Sequence, residues 1–329
     1  MPILTVPEAE DLVAAALIRA RTSGPNARSV ARALVAAEAD GLRGHGLSRV
    51  PSYAAQSRVG KVDGRAVPVL TRPKPAILKV DAAHGFAYPA IDLALTALPD
   101  AAREAGVAVA AVRRSHHCGA AGHPVERLAE AGLVALLFAN TPSAIAPSGG
   151  NRAVFGTNPI AFACPLPGRA PIVVDLALSV VARGNIVAAK GRGEPIPEGW
   201  ALDPDGRPTT DPDAALKGTM LPLGGPKGTA LALMVELLAA GLTGATYAAD
   251  ASSFIDPDGG PPGTGQLILA LDPGAIGGPG TIERFAVLAG AIEDQDGARL
   301  PGSRRLDSRA RAARDGLAVA DALLAEISG

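Results

Sequence analysis

Apolar positions recur at helical spacing toward both ends of the chain, and in short strand-like runs between them. Thr5 and Glu8 have the spacing of a capping box, and Pro7 suits a first helical turn. Leu12, Ala15 and Ala16 continue that helix, and Ser23-Gly24-Pro25 stops it. Asn26 is placed to cap a second helix, with Val30, Ala33, Leu34 and Ala37 as its apolar stripe and an end near Asp40-Gly41. Helical spacing returns from Ser308 to Ile327.

Between the ends, Ala76–Val80, Val107–Val112, Leu133–Ala139, Ile172–Asp175 and Gln266–Leu271 read as strands. Ile91–Glu104, Glu126–Ala131 and Thr229–Ala240 read as helices. The alternation predicts an α/β fold in two parts. A helical domain built from both termini takes residues 1–73 and 281–329, and a mixed-sheet domain takes residues 74–280. The Gly-, Pro- and Asp-rich stretch from Lys190 to Lys217 is long for a loop, so it is either functional or a packed surface arm.

Composition narrows the classes. The 329 residues are 48% hydrophobic with a net charge of −1, enough for a sizeable core and no reason to expect a nucleic-acid or acidic-membrane partner. No apolar run approaches the ~20 residues of a membrane span. The N-terminus lacks the basic flank and apolar core of a secretory signal. Two cysteines, Cys118 and Cys164, make no disulfide framework, and Cys164 reads as core. A cytoplasmic setting is expected. There is no GxGxxG between a strand and a helix, no P-loop and no HExxH, so a Rossmann cofactor site is not expected.

Four segments carry candidate chemistry. In Gly44-His45-Gly46-Leu47-Ser48-Arg49, a glycine-flanked histidine precedes an arginine by four residues. That is either a surface histidine in a glycine turn, or a proton donor beside a carboxylate clamp. Ser115 to His123 holds three of the five histidines. Adjacent His116 and His117 do not easily face one ion, so no metal is expected, and the segment reads as a Gly/Ala-rich strand-to-helix turn suited to a phosphate or as a capped loop. Phe155-Gly156-Thr157-Asn158-Pro159 reads as a rigid loop, with Thr157 and Asn158 as polar groups for a ligand or as ordinary turn residues. Lys227, in Gly224-Gly225-Pro226-Lys227-Gly228, is either a phosphate contact at a helix entrance or a solvated lysine.

In order, GHGLSR, SHHCGAAGHPVERLAEAGL, FANTPSAIAPSGG, FGTNPIAFACP, VVDLALSVVARGNI and LPLGGPKGTALALMVELL resemble the malate/L-lactate dehydrogenase-like family over nearly the whole chain. That family includes sulfolactate dehydrogenase, ureidoglycolate dehydrogenase and piperideine/pyrroline-2-carboxylate reductase. The resemblance implies a homodimer with a non-Rossmann NAD(P)-binding mixed-sheet domain, using NADP or NAD on a small carboxylate substrate. It implies His45 as the catalytic proton donor, with Arg49, Thr157, Leu178 and Ser179 at the substrate. It implies cofactor contacts at His117, Cys118, Gly119, Ala120, Ala121, Asp175, Leu176, Ala177, Lys227, Gly228, Gly302, Arg304 and Arg305. Arg304 and Arg305 are candidates for a 2′-phosphate, or plain surface arginines. The implied reaction is hydride transfer with a 2-oxo or 2-hydroxy acid; the alternative is reduction of a cyclic imino acid, and a remoter one is an inactive nucleotide-binding paralogue. Two positions depart from the pattern. The family usually has Ser before the catalytic histidine, where this chain has Gly44. The cyclic-imine reductases use an Asp to help orient that histidine, where this chain has Asn185.

Overall fold

The computed structural model describes residues 1–329. A short β1 (Ile3–Leu4) leads into α1 (Val6–Arg19) and α2 (Gly24–Ala39). The capping box at Thr5 is present: its hydroxyl accepts from the Glu8 N–H, and its own N–H donates to the Glu8 carboxylate at 2.8 Å. Helix α2 begins three residues earlier than the sequence suggests, with Ser23 at its cap position and Pro25 in its first turn. Asn26 therefore lies inside the helix, and its amide donates to the carbonyls of Gly64 and Ala66, both at 2.9 Å. It ties two segments together instead of capping one. Helix α3 (Val50–Val59) follows two short 3₁₀ turns, Arg43–His45 and Leu47–Arg49.

The sheet is built from β2 (Val69–Lys74), β3 (Ile77–Asp81), β4 (Val107–Ser115), β5 (Val134–Ala139), β6 (Ile160–Leu166) and β7 (Arg169–Leu176), with α4 (Ala87–Ala105) and α5 (Gly122–Glu130) inserted between them. An arm follows: α6 (Arg183–Arg192), β8 (Ala201–Leu202), β9 (Pro208–Thr209), α7 (Pro212–Lys217) and β10 (Thr219–Met220). The long Gly/Pro stretch is thus a packed arm with a three-stranded sheet and its own small core around Ile145, Ile186, Ile196 and Met220. Then come α8 (Pro226–Glu236), which runs into a π turn at Leu237–Gly241, and β11 (Thr264–Leu271).

The main sheet has the order β2-β3-β4-β11-β5-β6-β7. Only the β3–β4 pair is parallel. Strands β4, β5 and β7 therefore run the same way, and their carboxyl ends emerge at one edge of the sheet. One face of the sheet packs on α4 and α5 through Leu95, Leu98, Leu128, Leu137 and Ile268. The other packs on α8 and the π turn through Phe138, Leu178, Val235 and Leu267.

The C-terminal part holds α9 (Pro273–Gly277), α10 (Thr281–Glu293), α11 (Ser303–Asp315), β12 (Leu317–Ala318) and α12 (Asp321–Ser328). The helical run expected from Ser308 to Ile327 is interrupted at Gly316, which takes a left-handed φ of 80°. A Cβ there would lie 2.5 Å from Ile3. The break lets β12 pair with β1, joining the two ends of the chain. Leu17, Leu34, Tyr53, Phe86 and Leu317 share the core of this terminal layer. No helix is long and apolar enough to cross a membrane.

Candidate active site

A cleft of about 810 Å³ opens at the sheet edge where β4, β5 and β7 end. Its walls are the end of α2, the turn after β4, the end of β7 and the segment entering α11. A crevice outside the carboxyl ends of strands is where α/β sheets commonly bind ligands. His45, Thr157, Asp175 and Arg304 all line it.

His45 is brought there by a tight reversal after α2. Gly41 takes a φ of 80°, and the chain turns twice in 3₁₀ geometry. Glu38 accepts the Leu47 N–H at 2.9 Å and holds the second turn. Gly46 packs so closely that a Cβ would meet the Glu38 carboxylate at 2.2 Å and its Cα at 3.0 Å, so only glycine fits. Gly44, by contrast, faces open space.

The His45 ring stacks on His117, with centroids 5.3 Å apart and planes 19° from parallel. His117 is held from behind: its Nδ1 lies 2.6 Å from the Tyr53 hydroxyl, which lies 3.2 Å from that of Tyr88. Phe254 packs against both His116 and His117. Burial pushes His45 down to about 4, with the positive charge of Arg49 adding to the effect. The same two causes push His116 down to about 3, with Lys61 contributing as well, and His117 well below its ordinary value. Tyr53 is pushed up to about 12 by burial. This is a neutral, water-poor cluster at neutral pH.

Arg49 donates Nε to the Gly44 carbonyl at 2.7 Å. Its two terminal nitrogens have no partner in the chain, and no carboxylate pairs with it. It does not itself line the cleft, but its charge acts on the histidine cluster.

The turn after β4 departs from a simple phosphate cradle. Gly119 takes a φ of 68°, and a Cβ there would sit 2.5 Å from the Tyr88 hydroxyl. The first amide of α5, at Gly122, already donates to the Asp175 carboxylate at 2.7 Å. The helix N-terminus therefore faces an anion of the protein's own. Burial raises Asp175, against that hydrogen bond. Cys118 is buried, which pushes its thiol up to about 12. The three neighbouring histidines diverge: His116 turns to Gln56, His117 to Tyr53 and His123 to Asp40.

Arg305 faces inward. It grips Glu126 through two hydrogen bonds, and Arg309 bridges Glu126 and Asp40. Burial would raise Asp40, but the bonds from His123 and Arg309 outweigh it and hold it well below the usual range. Arg304, the next residue along, is exposed and in no ion pair.

The cleft thus gathers His45, His117, Cys118, Gly119, Ala120, Thr157, Asp175, Leu176, Ala177, Gly302, Arg304 and Arg305. It does not gather the others. Leu178 is fully buried in the core under α8. Ser179 is buried, with its hydroxyl donating to the Val181 carbonyl at 2.7 Å. Ala121 is core. Lys227 is exposed in the first turn of α8, and Gly228 is there because a Cβ would lie 2.0 Å from the Leu223 carbonyl. Asn185 is exposed in the first turn of α6. Sequence reasoning missed Tyr53, Gln56, Asp40 and Glu126. Each is a polar residue inside a helix or at its end, with no local pattern to single it out.

The sequence profile of malate/L-lactate dehydrogenase matches residues 4–328. The chain is 52% identical to the (2R)-3-sulfolactate dehydrogenase (NADP(+)) of Chromohalobacter salexigens over 92% of its length and 90% of that protein's. It is 42% identical to a Δ1-pyrroline-2-carboxylate reductase of Ancylobacter novellus, over 98% and 96% of the two chains. The crystal structure of Δ1-piperideine-2-carboxylate reductase from Pseudomonas syringae superposes with a TM-score of 0.92 at 41% identity, covering 100% and 99% of the chains. With that match and those relatives on a cleft holding the GHGLSR histidine, the chain belongs to the malate/L-lactate dehydrogenase family and is an oxidoreductase.

Proposed function

We propose that the chain interconverts a small 2-oxo acid and its 2-hydroxy acid, with NADP or NAD as the hydride carrier. The observation that carries this is Arg49: a guanidinium with both terminal nitrogens free, four residues from a histidine in the cleft. A planar fork of that kind matches a carboxylate through two parallel hydrogen bonds. Thr157, fixed by its N–H donating to the Thr141 hydroxyl at 2.9 Å, offers a hydroxyl on the same cleft.

Whether a dinucleotide suits this cleft is testable on its walls. Gly302 takes a φ of 83° and approaches β7 so closely that a Cβ would lie 2.9 Å from the Val173 carbonyl. Arg304 beside it presents an unpaired guanidinium, and Leu176 and Ala177 extend the wall beyond Asp175. The fit is good, and Arg304 is the residue suited to a 2′-phosphate. The nicotinamide, when bound, supplies or accepts the hydride at carbon 2 of the substrate. Arg49 holds the substrate carboxylate. His45 gives a proton to the oxygen in reduction and takes it from the hydroxyl in oxidation. The apolar packing around His117 and Phe254 keeps water off the reacting carbon.

A 3-sulfolactate-like substrate is the first choice, because the 52% identical relative carries that name. A second reading is reduction of a cyclic imino acid. The observation favouring it is that His45 is uncharged at neutral pH and its Nδ1 has no hydrogen-bond partner. An imine that arrives already protonated on nitrogen needs no acid. Following NADPH and NADH oxidation with the 2-oxo acid of 3-sulfolactate, pyruvate and piperideine-2-carboxylate decides between the two. Turnover of the imine alone would overturn the first reading.

Exposed Leu233, Met234, Leu237 and Leu242 leave an apolar face on α8 and its π turn, which supports a homodimer. Separate cores under the terminal helices and under the sheet support the division into residues 1–73 with 281–329 and residues 74–280, although β2 crosses the boundary and α10 packs against the sheet. A cytoplasmic location fits the two buried free thiols.

A further inference from the structure

The His45 ring receives no hydrogen bond from the chain. Its Nδ1 is buried without a partner, Gly44 has no side chain to offer, and Asn185 is exposed on the arm. A proton-transfer imidazole that is free to rotate loses much of its value, because proton transfer requires a fixed donor–acceptor line. Yet the ring lies nearly parallel to one neighbour, and that neighbour is fixed. His117 is fully enclosed except at the cleft, with Phe254 tilted against it at 5.2 Å and the Tyr53 hydroxyl 2.6 Å from its Nδ1. Tyr53 is itself immobile: it is 0% exposed and packed on Phe86 and Tyr88.

We infer that Tyr53 and His117 are positioning residues for His45, the Tyr53 hydroxyl locking the His117 plane and that plane setting the His45 ring by stacking. The inference rests on the reading of His45 as the proton-transfer residue. Tyr53 is taken as the donor to His117, and Tyr88 as the donor to Tyr53. Tyr53 keeps its proton, and a neutral His117 has one ring nitrogen free to accept it. The Tyr88 hydroxyl has no partner other than that of Tyr53, 3.2 Å away. The chain Tyr88 to Tyr53 to His117 Nδ1 then leaves the His117 proton on Nε2. Stacking holds a ring's plane without tying its nitrogens to the chain, so His45 Nε2 stays available to substrate while Nδ1 remains enclosed.

The test is a two-residue cycle on the full-length enzyme, read as kcat and KM for the accepted substrate and Kd for NADPH. Tyr53→Phe removes one oxygen atom and keeps every ring contact. It should lower kcat by roughly ten- to a hundred-fold, with KM and Kd within about twofold. Gly44→Ser introduces a hydroxyl beside His45 in space that is open, so it costs no packing. In the Tyr53→Phe background it should restore at least about tenfold of the lost kcat, because the new hydroxyl gives the imidazole a hydrogen bond. A Tyr53→Phe enzyme with wild-type kcat overturns the inference, as does a loss confined to Kd or a loss that adding Gly44→Ser leaves unchanged. In the unaltered enzyme, imidazole ¹⁵N spectra should show His117 neutral with its proton on Nε2 from pH 5 to 8. A charged His117, or one protonated on Nδ1, overturns it without any variant. If His45→Ala keeps its activity, the functional reading has failed; if it loses activity while Tyr53→Phe does not, only this inference has.

Discussion

Arg305 and Glu126 meet in two parallel hydrogen bonds of 2.5 and 2.7 Å, with both side chains nearly closed to solvent. Removing one member of such a pair leaves the other buried and unpaired, which costs about 3–5 kcal/mol. Arg309 remains on Glu126, so the lower end applies. Arg305→Ala should therefore lower the melting temperature, whatever it does to the cofactor. Arg304→Ala should leave stability alone and weaken NADPH more than NADH. Thermal melts and titrations of both cofactors separate the two neighbours; equal losses of NADPH and NADH in Arg304→Ala would remove the 2′-phosphate assignment.

His45→Ala should cut kcat by roughly 10²–10⁴-fold while NADPH still binds. Near wild-type turnover with a 2-oxo acid would sink the assignment of His45.

The charge state of His45 sets an unequal pH response for the two directions. Its pKa in the free enzyme is held down to about 4, so above that pH it is mostly neutral. Reduction needs the protonated ring, so its kcat/KM should fall about tenfold per pH unit as pH rises from 4. Oxidation needs the neutral ring, so its kcat/KM should be level above about pH 4 and fall below it. A substrate carboxylate beside Arg49 offsets part of that arginine's field, and kcat for reduction should break at a higher pH than kcat/KM. A single break near 6.5 in both directions would contradict the buried, arginine-biased site.

Arg49→Lys keeps the charge and loses the fork. The KM for a carboxylate substrate should rise by roughly ten- to a hundred-fold, from the loss of a charge-assisted hydrogen bond worth about 1.5–3 kcal/mol. Cofactor affinity should hold. An unchanged KM with weakened NADPH binding would move Arg49 to the cofactor side.

Folding stability should begin to fall well before carboxylates protonate. His116 and His117 are buried and neutral, with folded pKa values far below the ordinary value of 6.5. Below about pH 6.5 the unfolded chain takes up protons that the folded chain refuses, so stability falls as pH falls. The slope reaches about 1.4 kcal/mol per pH unit for each group. Urea melts from pH 7.5 to 4.5 should show it, and His116→Gln should make the slope shallower. A flat stability down to pH 5 would mean that these rings are charged in the fold.

Much of the plan was legible along the chain because it is written locally. The capping box at Thr5 and the apolar runs of β3, β4, β5, β7 and β11 come from neighbours in sequence, and each is present. Residues 50–59 and 281–293 carry weaker patterns, and the helices there went unread. Gly316 looks like any loop glycine, and only its contact with Ile3 shows that it ends a helix. The site divides the same way. His45, Arg49 and Thr157 stand in short motifs. Tyr53, Asp40 and Glu126 matter through partners 64, 83 and 179 residues away, and no local spacing records those distances.

The cleft has one wall from residues 40–45 and another from residues 299–308. Its two sides are therefore made at opposite times during synthesis. A nascent chain that has already formed the sheet has only an open, one-sided shelf until α11 leaves the ribosome. Closure of the cleft becomes a report that synthesis has passed α11. A product cut short before α11 would keep His45 and lack the wall that faces it.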